Sequence, residues 1–268
     1  MPSSPILQGK NAVVFGAGGS IGAAVAREFA AEGAALFLAG RTPSNVEAVA
    51  RQITSGGGTA TATVVDALDD TAVNRYIDDV SKQAGKIDIL LDATGPLVQE
   101  YGNGKPATEL TIEEFMVPLT KVAKSHFITA RAAARRMIEQ QSGVIIFVTG
   151  SPARGHVPGA TAIGAAFGAI ETLTENLAIE VSPFGVRVVC LRTLANTDSR
   201  SILQTMDALA TRTNISRDQA IAQIAASNFL KVPATVADTA NAAVLIASDR
   251  ARMLTGTVVN ATAGAALD

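Results

Sequence analysis

The chain has 268 residues, with 22 Lys and Arg against 24 Asp and Glu, a formal net charge of −2 and a pI near 5.8. Such a balance, with no basic block, excludes electrostatic capture of nucleic acid or of an anionic membrane surface. One cysteine, Cys190, excludes an intramolecular disulfide and any multi-cysteine zinc or iron–sulfur site, and two histidines, His126 and His156, argue against a metal centre. A 48% hydrophobic content supplies a large core, yet tyrosine is scarce: only Tyr76 and Tyr101. The opening MPSSPILQGK lacks the basic and apolar regions of a secretory signal, and no apolar run is long enough to span a bilayer. The expectation is a cytoplasmic protein with no membrane partner.

In chain order, short apolar runs suited to strands fall at 12–15, 35–39, 60–65, 87–91, 144–149, 186–191 and 257–260. Helix-period stretches separate them at 20–32, 43–55, 69–84, 111–140, 161–181, 200–227 and 235–248. Continuously apolar strands alternating with helices predict a parallel sheet covered on both faces, an α/β doubly wound fold of about seven strands. Its functional crevice then lies beyond the carboxyl ends of the strands. No linker, repeat or low-complexity tract divides the chain, so 1–268 reads as one domain; Ser55-Gly56-Gly57-Gly58 is a helix stop.

The first strand runs into Gly16-Ala17-Gly18-Gly19-Ser20-Ile21-Gly22 before a helix opens. Glycines there permit a tight turn and bring backbone N–H groups close to a pyrophosphate at the helix N-terminus. After the second strand, Gly40-Arg41-Thr42 has no carboxylate for a ribose 2′-hydroxyl. Arg41 instead offers a planar guanidinium suited to a 2′-phosphate; the plainer reading is a solvent-facing arginine. Asp66, closing the third strand, is placed either to accept from an adenine amino group or to cap the next helix.

These features, with Ile87-Asp88-Ile89-Leu90-Leu91 leading to Gly95, Gly143-Val144-Ile145-Ile146-Phe147-Val148, the helix at 171–180, Gly185-Val186-Arg187-Val188, and Ala247-Ser248-Asp249 with Thr255-Gly256, resemble the short-chain dehydrogenase/reductase family over nearly the whole chain. The resemblance implies a seven-stranded Rossmann-type subunit, commonly a homotetramer built on the helices near 111–140 and 161–181. It implies a nicotinamide dinucleotide, which Arg41 makes NADP(H) in preference to NAD(H), held by Gly16, Gly19, Ser20, Ile21, Gly22, Arg41, Asp66, Ala67, Ala93 and Gly95. It also implies a substrate-covering helical segment near 200–230.

Members of that family usually reduce carbonyls with an Asn-Ser-Tyr-Lys set. Placed on that pattern, the four positions fall on Val122, Gly150, Ile163 and Phe167, and no Tyr or Lys occurs between Gly143 and Lys231. The family's Asn-Asn-Ala-Gly reads Asp92-Ala93-Thr94-Gly95, and its Pro-Gly after the sixth strand reads Thr193-Leu194. The remaining chemical candidates are Ser151 and His156, on the loop after the fifth strand, as substrate hydrogen-bonder and acid or base; a turn hydroxyl and a loop or interface residue are their plainer readings. Tyr101, on the long 93–108 segment, is read as a donor folded over the crevice or as packing. His126, on one helix face with Val122 and Ser125, is read as buried or interfacial, Cys190 as core, and Arg131, Arg135 and Arg136 as a solvated or subunit-contact face.

Three functions follow: an atypical NADP(H) oxidoreductase acting on an iminium or activated C=C, a non-catalytic NADP(H)-binding protein, or a non-redox enzyme using the same crevice. Each takes a small molecule, no nucleic acid and no metal.

Overall fold

A computed structural model describes residues 5–155 and 157–268. Strands β1 (Asn11–Phe15), β2 (Ala35–Gly40), β3 (Thr59–Val64), β4 (Ile89–Asp92), β5 (Gly143–Gly150), β6 (Val186–Thr193) and β7 (Thr257–Ala261) form one parallel sheet in the order β3-β2-β1-β4-β5-β6-β7. The expected strands are all present, with ends shifted by a residue or two; Val65 falls outside β3 because the ladder with β2 ends at Gly40↔Val64. Side chains alternate between two cores: Val13 and Phe15 enter one, Ala12 and Val14 the other. Helices α3 (Asp70–Ala84), α4 (Ile112–Gln140) and α5 (Thr161–Val181) cover the first face, and α1 (Ser20–Ala31), α2 (Pro43–Ser55) and α8 (Val236–Ala247) the second.

The helix-period stretch over 200–227 divides into two helices, α6 (Arg200–Thr213) and α7 (Arg217–Ser227). Asn214 ends α6 in the left-handed region (φ 54°), and Ser216 opens α7 by accepting from the Gln219 N–H while Gln219 returns to the Ser216 N–H. Both signals are local, but a periodicity window averages over them. No helix among the described residues is long and apolar enough to cross a membrane.

The strand order reverses at β1 and β4. Successive connections run outward from β1 through β2 to β3, then return to build β4 to β7 on its other side. The two neighbouring carboxyl ends therefore send their loops apart, which opens a crevice between them.

Candidate active site

β1 ends at Phe15 and turns through Gly16 at φ +74°. A Cβ on Gly16 would sit 2.7 Å from the Ala93 carbonyl oxygen, and one on Gly22 would sit 2.3 Å from the Gly16 oxygen. The helix is thus pressed against its own turn, and only glycine fits. The Gly19 N–H donates to the Gly16 carbonyl at 2.9 Å, and α1 starts from Gly19 with no side-chain cap. Its first bond back to that cap comes from the Ala23 N–H, so Ser20, Ile21 and Gly22 precede the intrahelical ladder with their amides turned to the crevice. An uncapped helix start behind a turn too tight for side chains fits a pyrophosphate.

Arg41 is exposed just past β2, ahead of α2, whose cap residue Thr42 makes no side-chain cap bond. Nearby, Glu100 pairs with Lys121; that pairing holds its carboxyl below the usual range, with the Arg41 charge adding to the effect. Asp66 is exposed, and its Oδ1 accepts from the Leu68 N–H at 3.0 Å. The cap of α3 is Asp69, not Asp66: its side chain accepts from the Ala72 N–H at 3.0 Å. Ala67 is buried behind this turn, and Gly95 stands open, with nothing within 4 Å of an added Cβ.

Across the switch point the walls are apolar. Val122 and Ile163 are buried in the first core, and the Phe167 ring lies 3.1 Å from where a Cβ on Gly150 would sit. Tyr101 is buried rather than presented to solvent, and burial pushes its phenol up to about 12. Its loop meets the one after β5 through the Gly104 N–H donating to the Gly159 carbonyl at 2.8 Å, and meets α6 through Asn103 Nδ2 donating to Thr205 Oγ1 at 3.1 Å. A Cβ on Gly159 would lie 2.7 Å from the Gly104 Cα, so the two loops close backbone to backbone. Ser151 is buried in a 3₁₀ turn whose carbonyl accepts from the Arg154 and Gly155 amides. His156 lies outside the described residues.

Ser125 and His126 share the buried face of α4 expected from their spacing, but the two polar constellations that form around Asp92 and Glu171 escaped the sequence. In the first, Asp92 is fully buried; its Oδ1 accepts from the Thr94 N–H at 2.8 Å and its Oδ2 from Thr129 Oγ1 at 2.6 Å. Ser125 and buried His126 adjoin it, with His126 Nδ1 3.9 Å from Asp92. In the second, Arg192 on β6 donates to Glu171 on α5 from Nε (2.7 Å) and Nη2 (2.9 Å), with both residues buried, and from Nη1 to Asp268. The available signal was parity: Arg192 shares the buried face of its strand with Cys190 and therefore needs a carboxylate opposite. Arg131 and Arg136 bind Asp70 and Asp78, so that face of α4 is turned to α3.

Crevice, glycine turn and uncapped α1 together define a doubly wound α/β protein of Rossmann type. The short chain dehydrogenase family model matches residues 10–204, and the chain belongs to that family. It is 30% identical over 259 residues, 94% of this chain and 92% of the other, to the short-chain reductase protein NovJ of Streptomyces niveus. An NAD+-bound xylitol dehydrogenase superposes with a TM-score of 0.87 at 25% identity, covering 95% of this chain and 98% of that one. An NAD(P) dependent protein from Beutenbergia cavernae, solved with NADP at low occupancy, gives 0.84 at 28%, covering 98% of each.

Proposed function

We propose that this protein is an atypical oxidoreductase of its family that uses NADP(H) to reduce a substrate needing no phenolic acid, an iminium or an activated C=C. The observation that carries the reading is the Phe167 ring packed against Gly150, beside buried Ile163 and Val122. A carbonyl reduced there would need a proton at its oxygen; a cationic iminium carbon needs only the hydride, and hydride addition to an activated C=C leaves an enolate that water protonates after release. The cofactor, when bound, supplies that hydride. The chain's own part is to receive the phosphates at α1, exclude water with the roof of the 93–108 and 157–160 loops, and hold the acceptor against an apolar wall.

Preference for the 2′-phosphate rests on Arg41 beside the free start of α2. Titration should find NADPH bound more tightly than NADH, and Arg41→Ala should cut NADPH affinity about tenfold while leaving NADH unchanged. Equal affinities in the wild type would overturn the assignment. NADPH consumption with a panel of cyclic imines and enones tests the chemistry. The same apolar wall also favours a second reading, a binder of NADP(H) without turnover, and no consumption across the panel would select it. Exposed Ile112 and Phe127 on α4 support assembly as a homo-oligomer, a tetramer by family habit.

A further inference from the structure

Thr94 stands where the crevice opens. It lies two residues past the end of β4, and its backbone nitrogen is 3.0 Å from where a Cβ on Gly16 would sit, so it adjoins the nucleotide turn across the switch point. It is partly exposed, and its Oγ1 lies 2.8 Å from Ser125 Oγ. Ser125 Oγ is in turn 3.3 Å from His126 Nδ1 and 3.1 Å from the Val122 carbonyl, to which His126 Nδ1 approaches at 2.9 Å.

Proton positions follow from counting acceptors. A carbonyl only accepts, so His126 carries its proton on Nδ1. Its Nε2 is buried and without a partner among the described residues. The Val122 oxygen has two lone pairs. One takes Nδ1–H, and the other the Ser125 hydroxyl, which donates to it at 3.1 Å. Across its shorter contact, 2.8 Å, Ser125 Oγ is left to accept from Thr94 Oγ1. Thr94 Oγ1 then turns its lone pairs to a ligand: Ser125 and His126 fix it as an acceptor for a sugar hydroxyl.

We propose that Thr94 anchors the nicotinamide-side ribose of the cofactor, with Ser125 and His126 as positioning residues. The inference rests on the cofactor reading above. With the pyrophosphate at α1 and the adenosine directed to Arg41 and Asp66 beyond β2 and β3, the other half of the dinucleotide must extend over β4. Its first sugar reaches Thr94, while Val122, Ile163 and Phe167 offer that sugar no polar group.

The test is calorimetric titration with NADPH and with 2′,5′-ADP, which lacks the nicotinamide nucleoside. Thr94→Val should weaken NADPH about tenfold and leave 2′,5′-ADP unchanged, Ser125→Ala should weaken NADPH about threefold, and Thr94→Ser should match the wild type. In the imidazole ¹⁵N spectrum, where His126→Gln separates the two histidines, His126 should show a protonated Nδ1 and shift on adding NADPH but not 2′,5′-ADP. Unchanged NADPH binding in Thr94→Val, or an equal loss for both ligands, overturns the inference and leaves the cofactor reading standing. A wild type that binds neither nucleotide overturns the cofactor reading, and the inference falls with it.

Discussion

Gly22 illustrates how much a single missing methyl group carries. Its Cβ position overlaps the Gly16 carbonyl at 2.3 Å, and that atom is backbone, so nothing flexible is available to yield. Gly22→Ala should displace α1 from its turn, lower the thermal midpoint by several degrees and abolish nucleotide binding in the same titrations. The glycine turn was legible because its geometry is local to seven residues. Asp66 and Asp69 were not separable in sequence, because each precedes a helix; only the coordinates show that the Ala72 amide reaches Asp69. Thr94 was invisible as a functional residue, since its hydroxyl is given direction by Ser125 and His126, some thirty positions away.

At the scale of elements, α5 and β6 are joined by charge inside an apolar layer. Ile163, Phe167 and Glu171 follow at four-residue spacing along one side of α5, and Arg192 meets Glu171 from β6. Burying such a pair adds little net stability, but removing one partner strands the other. Glu171→Gln should therefore cost about 3–5 kcal/mol in urea unfolding, whereas Glu171→Leu combined with Arg192→Met should recover most of that loss. A helix periodicity registers Glu171 as an interruption of an apolar face and gives no hint of the strand residue that neutralises it. The break at Asn214 is the opposite case: its signal was local, a left-handed residue followed by a capping box, and was lost in a pattern averaged over 28 positions.

For the molecule as a whole, the core on the α3, α4 and α5 side of the sheet sets its response to alkali. Burial pushes the Cys190 thiol up to about 12 and the Tyr101 phenol likewise to about 12, and it raises Tyr76 as well. In the unfolded chain these groups ionise near their ordinary values, about 8.5 for Cys and about 10 for Tyr. Above about pH 8.5 the unfolded state sheds a proton that the native state keeps, so stability falls as pH rises and continues to fall toward the folded values. Urea midpoints measured between pH 7 and 10.5 should decline first through Cys190, and Cys190→Ala should delay the onset to the tyrosine range. A flat profile would mean that this core admits water.

The sequence by itself determined the layer order of this protein, its seven strands, its glycine turn and the apolar identity of residues 122, 150, 163 and 167. All of these depend on periodicity or on short-range spacing, which a linear chain displays directly. Tertiary structure alone decided that Phe167 closes on Gly150, that Glu171 answers Arg192 and that Thr94 is held by α4. Those contacts join residues whose separation along the chain carries no signal, because the crevice is made by strands that become neighbours only when the order of the sheet reverses at β1 and β4.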